Sequence, residues 1–283
     1  MRLSIDHRLT YRYSSPVFLE PMTIRLRPRA DGRLLLHEHA LEVAPAPAGT
    51  TQERDPYDNV ATFAWFDGRH QSLSIHSRVD VSGRLENPYD FFVSDPGATA
   101  LPVDYAGPLA DALHRYRGAE EATPALASLV AEVRRGAGDR TLEYCGGLAA
   151  RIREEVPTVV RAEGSTWPAE RTLSEGRGAC RDQAWLFVCA CRAVGLAARF
   201  VSGYAFSPSD HTEQELHAWA EVYLPGPGWR GYDPSLGLAV GEAHVPLAHG
   251  PLPGDAAATS GAFRGDGARE SMSYEVAIER VGG

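Results

Sequence analysis

From Leu3 the apolar residues Leu3, Ile5, Leu9, Tyr11 and Tyr13 alternate with Arg2, Ser4, Asp6, Arg8, Thr10 and Arg12, and His7 falls in register with the apolar set. A period of two puts one residue type on each face of an extended chain and scatters both types around a helix, so the run predicts a half-buried strand. Further alternating segments lie near 23–26, 35–43, 60–66 and 73–81, and in the last of these Leu73, Ile75, Val79 and Val81 share a face. Turn-forming residues separate them: Ser14-Ser15-Pro16, Asp31-Gly32, Pro45-Ala46-Pro47, Asp55-Pro56 and Asp67-Gly68. Together they predict an antiparallel sandwich or small open barrel.

Past Asp95-Pro96-Gly97 the pattern changes. Residues 106–155 are rich in Ala, Leu, Glu and Arg at helical spacing, with Leu126, Leu129, Val130 and Val133 following Thr123-Pro124, a cap with Pro at the first helical position. The spacing predicts helices near 107–117, 124–135 and 139–154. One more helix after Cys180 and then a run of strands make this second unit α+β. Residues 250–267, rich in Gly, Ala and Asp without periodicity, predict a long surface loop. Alternation at Tyr274, Val276 and Ile278 predicts one last strand. A chain of 283 residues, at roughly 150 residues per domain, divides here into a β domain, 1–97, and an α+β domain, 98–283.

Charge narrows the partners. Lys and Arg number 28 against 37 Asp and Glu, a formal charge of -9, so nothing would offset repulsion from phosphate on a nucleic acid or an anionic membrane. Apolar runs fall far short of the roughly 20 residues that span a bilayer. Asp6 stands where a signal peptide needs its apolar region, so a cytoplasmic protein is expected. The four cysteines, Cys145, Cys180, Cys189 and Cys191, are too few and too unevenly spaced for a disulfide framework. Cys189 and Cys191 are two apart and do not share a helix face, so no zinc site is expected there. Cys191 falls on the packed stripe of the helix, Cys189 off it, and Cys145 is read as a helix-packing residue. No loop has the ligand spacing of an EF-hand, and no metal or cofactor is expected.

The chemistry concentrates around Cys180. In Glu175-Gly176-Arg177-Gly178-Ala179-Cys180-Arg181-Asp182, the glycines permit a tight approach, and Ala184, Phe187, Val188, Cys191 and Val194 then trace a helical stripe ending at Gly195. Cys180 therefore opens a helix, where unpaired N–H groups and the positive dipole end favour a thiolate and can hold a developing oxyanion. Asp182, in the first turn, is read as complementing the dipole.

Acyl transfer from an amide also needs a group that protonates the leaving amine. In His217-Ala218-Trp219-Ala220-Glu221-Val222-Tyr223-Leu224 the even positions make an apolar face and the odd ones a polar face, which places His217 at a strand start facing a cleft. Pro225-Gly226-Pro227-Gly228 leads to Trp229-Arg230-Gly231-Tyr232-Asp233, so Asp233 can orient the imidazole across a hairpin. A four-residue turn pairing Leu224 with Trp229 would set residue 236 opposite His217. Bringing Asp233 to His217 requires a different loop closure or a β-bulge. Trp167, Trp219 and Trp229 are candidate cleft walls that as large aromatics also suit a core. His211 reads as solvated, and His37, His39, His244 and His249 have no evident partner.

These residues carry a resemblance. G-x-G-x-C-x-D-x-A before a helix, R-x-V-x-G-Y at Arg199 to Tyr204, H-A-W-x-E-V-Y and W-x-x-x-D-P together resemble the core of transglutaminase-like proteins, a papain-like α+β fold. His7-Arg8-Leu9-Thr10-Tyr11-Arg12-Tyr13, Leu26-Arg27-Pro28 and Asp55-Pro56-Tyr57-Asp58-Asn59 resemble the β domain that precedes this core in many bacterial members. The resemblance implies a Cys180, His217, Asp233 triad acting through a thioester on a protein or peptide amide. It departs at Leu216, where relatives often carry a small polar residue, and after His244, where many carry an acidic Gly-Arg-Asp element. Resolution of the thioester by an amine gives transglutamination and by water gives peptide or isopeptide hydrolysis. From a different class, a non-catalytic binding scaffold on the same fold is the alternative. Sequence sets no oligomeric state.

Overall fold

The alternation at the amino terminus becomes the longest strand of the protein. In the computed structural model, which describes residues 1–118, 123–161, 164–207 and 215–282, β1 runs Arg2–Leu19 and buries Leu3, Ile5, Leu9, Tyr11 and Tyr13. His211 lies outside the described residues. The strands β2 (Met22–Ile24), β3 (Leu34–Ala44), β4 (Gly49–Arg54), β5 (Val60–Trp65) and β6 (His70–Gly83) follow. Antiparallel pairing sets Leu3 opposite Val81, Ile5 opposite Val79 and Leu9 opposite Ile75. The two apolar rows therefore share one face, which a slip of one residue would destroy. β3 extends this sheet beyond β6, while β2, β5 and β4 belong to a second sheet.

Among the described residues five α-helices come next: α1 (Pro108–Ala112), α2 (Pro124–Ala137), α3 (Thr141–Glu155), α4 (Ala169–Glu175) and α5 (Cys180–Ala193). Thr123 caps α2, its Oγ1 accepting from the Leu126 N–H at 3.3 Å. The helix expected over 107–117 is instead α1 and a separate 3-10 turn at His114–Tyr116, because Leu113 between them leaves helical dihedrals at φ -96°, ψ 1°.

The strands β7 (Ala198–Ala205), β8 (His217–Leu224), β9 (Gly228–Asp233), β10 (Leu238–Ala239) and β11 (His244–Gly250) form an antiparallel sheet ordered β10-β9-β8-β7-β11. Helix α5 packs on β8 and β7, and Ala218, Ala220 and Val222 share one core with Leu186, Phe187 and Ala190. The sequence predicts a single buried stripe on α5 with Cys189 off it. Instead every residue from Asp182 to Arg192 is buried, Cys189 included, because α2, α3 and α4 cover the faces that the sheet leaves free. At the β7–β11 edge of this sheet, Tyr204, Val245 and Leu247 join a second core with Leu3, Ile5 and Ile75. The central sheet thus contributes side chains to both cores.

The end of the chain returns to that β region. Residues 250–267 contain a 3-10 turn at Pro253–Ala256 and the two-residue strands β12 (Thr259–Ser260) and β13 (Phe263–Arg264), which pair with β2 and β1 rather than forming one long loop. Pairings this short carry no periodicity. The last strand, β14 (Glu270–Arg280), pairs with β1 from Leu3 opposite Arg280 to Tyr13 opposite Glu270. Residue 97 marks a change of composition, and β12 to β14 cross back over it. Among the described residues no helix is long and apolar enough to cross a membrane.

Candidate active site

Cys180 is the first residue of α5 and is half-buried, whereas Cys145, Cys189 and Cys191 are fully buried. The loop before it is clamped from both sides. Gly178 accepts from the Val159 N–H at 2.9 Å and donates to the Pro157 carbonyl at 3.2 Å. A Cβ there would come within 3.0 Å of the Asp182 Cβ and 3.3 Å of Thr172 Cγ2, so any side chain would press on these neighbours. Asp182 does more than complement the dipole. Its buried carboxylate accepts from the Ala179 N–H at 2.8 Å, the Trp167 N–H at 2.8 Å and Arg161 Nη2 at 2.6 and 2.8 Å. It fixes the Cys180 turn to the segment that borders it. Gln183 adds a donation to the Val156 carbonyl at 2.6 Å.

The hairpin brings His217 and Asp233 together. Leu224 pairs with Gly228, and the loop is the three residues 225–227, which moves the register by one from the simple four-residue turn. Asp233 then stands across from Trp219, two positions from the point opposite His217, on the same face of the sheet. A diagonal neighbour of this kind is within reach of a long side chain. In the four-residue register Asp233 would lie across from Ala220 and point to the opposite face. The changed loop closure suffices, with no bulge between β8 and β9. His217 Nε2 donates to Asp233 Oδ2 at 2.6 Å, leaving Nδ1 for the Cys180 sulfur, which lies within hydrogen-bonding reach of the ring.

Burial alone would lower the His217 pKa, but the charge and hydrogen bond of Asp233, with the contact to Cys180, outweigh it and push the imidazole up to about 10. Burial would likewise raise Asp233, yet His217 and His244 hold its carboxyl well below the usual carboxylate range. Five donations converge on this fully buried carboxylate. Oδ1 accepts from the Ser235 N–H at 2.9 Å, Ser235 Oγ at 2.7 Å and the Leu236 N–H at 3.1 Å, and Oδ2 accepts from His217 and from His244 Nε2 at 3.1 Å.

His244 is one of the histidines that sequence reasoning leaves without a partner. It starts β11, which is separated from β8 by β7. The approach depends on Gly203 in β7, where a Cβ would come within 2.6 Å of the Trp219 ring and 2.3 Å of the Val245 carbonyl oxygen. With that space open, Trp219 lies edge-on to His244 at 5.2 Å between ring centroids. No local pattern marks His244; only the crossing of strands does. His217, Asp233 and His244 have ligand-type atoms within 4.8 Å of one another. Both imidazoles direct those atoms at the shared oxygen, so the cluster is closed by its own hydrogen bonds.

Of the polar face expected on β8, His217 alone borders the cleft among His217, Trp219 and Glu221. Trp219 is fully buried, and Glu221 is buried against Arg199 Nε at 2.7 Å and Arg29 Nη2 at 2.7 Å, because the amino-terminal β region covers this face. Burial alone would raise the Glu221 carboxyl, but the Arg199 and Arg29 cations hold it far below its ordinary range. Trp229 packs against Arg199 and Tyr223 away from Cys180, and Trp167 sits between Arg161 and Arg171. The tryptophan that borders the cleft is Trp185. His37 pairs with Ser82 at 2.8 Å, and His249 with Asn59 at 2.5 Å. His39 lies 3.3 Å from Ser77 Oγ.

Cys180 and His217 open on one cavity of about 700 Å³, whose far wall is built by β1 and β14 and by the turn after β11. This volume lies within the usual range for a small-molecule or side-chain binding site.

Comparison with known proteins agrees with this architecture. Residues 3–82 match the bacterial transglutaminase-like N-terminal region, and residues 127–234 match the transglutaminase-like superfamily. An uncharacterised protein of Mycobacterium tuberculosis is 30% identical over 266 residues, covering 88% of this chain and 83% of the relative. Another, from Mycobacterium leprae, is 24% identical over 286 residues and 99% of each chain. The crystal structure of a proposed cysteine protease from Cytophaga hutchinsonii shares the fold, with a TM-score of 0.70 at 21% identity over 100% of this chain and 92% of that one. By its sequence matches from β1 to β9 and by its fold, this chain belongs to the transglutaminase-like superfamily and carries the bacterial transglutaminase-like N-terminal region ahead of the core.

Proposed function

We propose that the protein is a cysteine-dependent acyl-transfer enzyme acting on a protein or peptide amide, with Cys180 as nucleophile, His217 as acid and base, and Asp233 orienting the imidazole. The observation that carries this reading is the continuous contact from Cys180 through His217 to Asp233, at 2.6 Å between the last two. The Cys180 thiolate attacks the amide carbonyl carbon. The N–H groups at the start of α5 stabilise the oxyanion. As the C–N bond breaks, the His217 imidazolium gives its proton to the leaving amine, and a thioester remains on Cys180. An incoming amine or water then attacks the thioester, giving its proton to His217, and the thiolate is released.

Incubating the wild type and Cys180→Ala with a peptide library, with and without a primary amine, tests this by product mass. Products carrying the added amine minus ammonia report transamidation, and shorter fragments report hydrolysis. Products formed equally by Cys180→Ala would refute the assignment.

In this reading His244 is a positioning residue. It shares Oδ2 with His217 and so limits how far the Asp233 carboxylate can rotate. His244→Asn is expected to lower the rate of selective Cys180 alkylation by about 10-fold, the lower end of the cost of losing an outer-shell partner. His244→Gln, which can place a donor near the same oxygen, should recover part of it. Equal rates in wild type and His244→Asn at every pH would show that His244 only packs.

A further inference from the structure

Resting on Cys180 as nucleophile, we propose that the amide substrate carries a large uncharged apolar side chain beside the bond attacked, seated against the wall that β1, β14 and the turn after β11 raise opposite Cys180. Two features of that cavity lead to this class of substrate. The first is its surface. Phe200 and Trp185 lie at its buried depth, Leu216 stands beside His217, and Leu252 and Met272 are left 42% and 45% exposed at its edge. Large apolar side chains exposed around the mouth of a concave site offer area to a ligand.

The second feature is the state of its charges. Arg161 is committed to the buried Asp182, and Arg181 donates to the Arg161 and Gly164 carbonyls at 2.6 and 3.3 Å. The Glu215 carboxylate accepts from the Tyr274 hydroxyl at 2.7 Å, a contact that also ties β14 to the segment entering His217. His7, buried at the back of the cavity, shares a hydrogen bond of 2.8 Å with Tyr204, and burial holds its imidazole neutral down to about pH 4. A charged side chain entering here would lose its water against partners already engaged, which is costly. An apolar one would exchange water for Phe200, Leu216 and Met272. The amino-terminal β region and the returning strand β14 thus supply part of the substrate wall.

The test measures alkylation of Cys180 in the full-length protein by three reagents of one chemistry: chloroacetamide, N-phenethyl chloroacetamide and N-aminoethyl chloroacetamide. Each rate is divided by that for a free thiol. The phenethyl reagent is expected to react about 10- to 100-fold faster than chloroacetamide, the gain expected for burying one large apolar group, and to saturate. The aminoethyl reagent should show no gain. Met272→Asp and Leu252→Asp should each reduce the phenethyl-to-chloroacetamide ratio several-fold, and Met272→Leu should keep it. A phenethyl ratio near one, or an equal gain for the aminoethyl reagent, would overturn the proposal. Chloroacetamide reacting at Cys180 no faster than with a free thiol would count against the nucleophile itself, so the two failures read out separately.

Discussion

His217→Ala is expected to slow turnover of an amide substrate by about 100- to 10,000-fold, the usual contribution of a positioned acid and base. It should also abolish the preferential labelling of Cys180 by iodoacetamide near pH 6, because the ring in contact with the sulfur is removed. The reason lies in the hydrogen-bond chain. Asp233 fixes Nε2–H and keeps His217 protonated up to about pH 10, so the proton that the proposed mechanism gives to the leaving amine is present across the neutral range. Turnover limited by that proton should fall on the alkaline side near pH 10 rather than near the ordinary histidine value. The same pairing stabilises the fold. Because the folded value is raised, the contribution is complete below the unfolded histidine pKa of 6.5 and is lost as the pH rises through about 10. Wild-type labelling and turnover that match His217→Ala at every pH would end the assignment.

Glu221→Ala should have the largest effect on stability, about 3–5 kcal/mol, as expected when one partner of a buried ion pair is removed. Glu221 is 3% exposed and meets Arg199 at 7% exposure and the half-buried Arg29. Arg29 belongs to the amino-terminal β region and Arg199 to β7, so one carboxylate fastens that region to the central sheet. Without it, Arg199 loses its carboxylate partner beside Arg29, which keeps Asp31 at 3.1 Å. Urea unfolding at pH 7 would measure the loss. Since the folded Glu221 pKa is depressed, its contribution is complete above the ordinary glutamate range and is lost progressively as the pH falls below that range toward the depressed folded value. The gap between wild type and Glu221→Ala should therefore narrow in acid. A change below 1 kcal/mol at pH 7 would show that the pair is compensated elsewhere.

Glu221 also marks where sequence reading reached its limit on the fold. Alternation along His217 to Leu224 is a local property, and it assigned the strand and its apolar face correctly. Which surface lies over the other face is not local. The odd positions read as a polar face with His217 toward a cleft, yet at Glu221 the β region arrives over them with Arg29. Likewise α5 reads as amphipathic but is surrounded, its buried Arg192 donating to the carbonyls of Ala198 and Pro251. The strands β12 and β13 were invisible because two-residue pairings leave no period to detect.

The sequence by itself determined the two structural regimes, the placement of Cys180 at the start of a helix and of His217 at the start of a strand, and the need for a changed hairpin closure before Asp233 could approach. These follow from periodicity, capping and the spacing of neighbours along one chain. Only the tertiary structure decided that the closure is a three-residue loop, that β14 returns to wall the cleft, and that His244 reaches Asp233 past Gly203. Such contacts join residues far apart in the chain through the space that a missing side chain or a returning strand leaves. That space is a property of the packed layers, and no stretch of sequence encodes it alone.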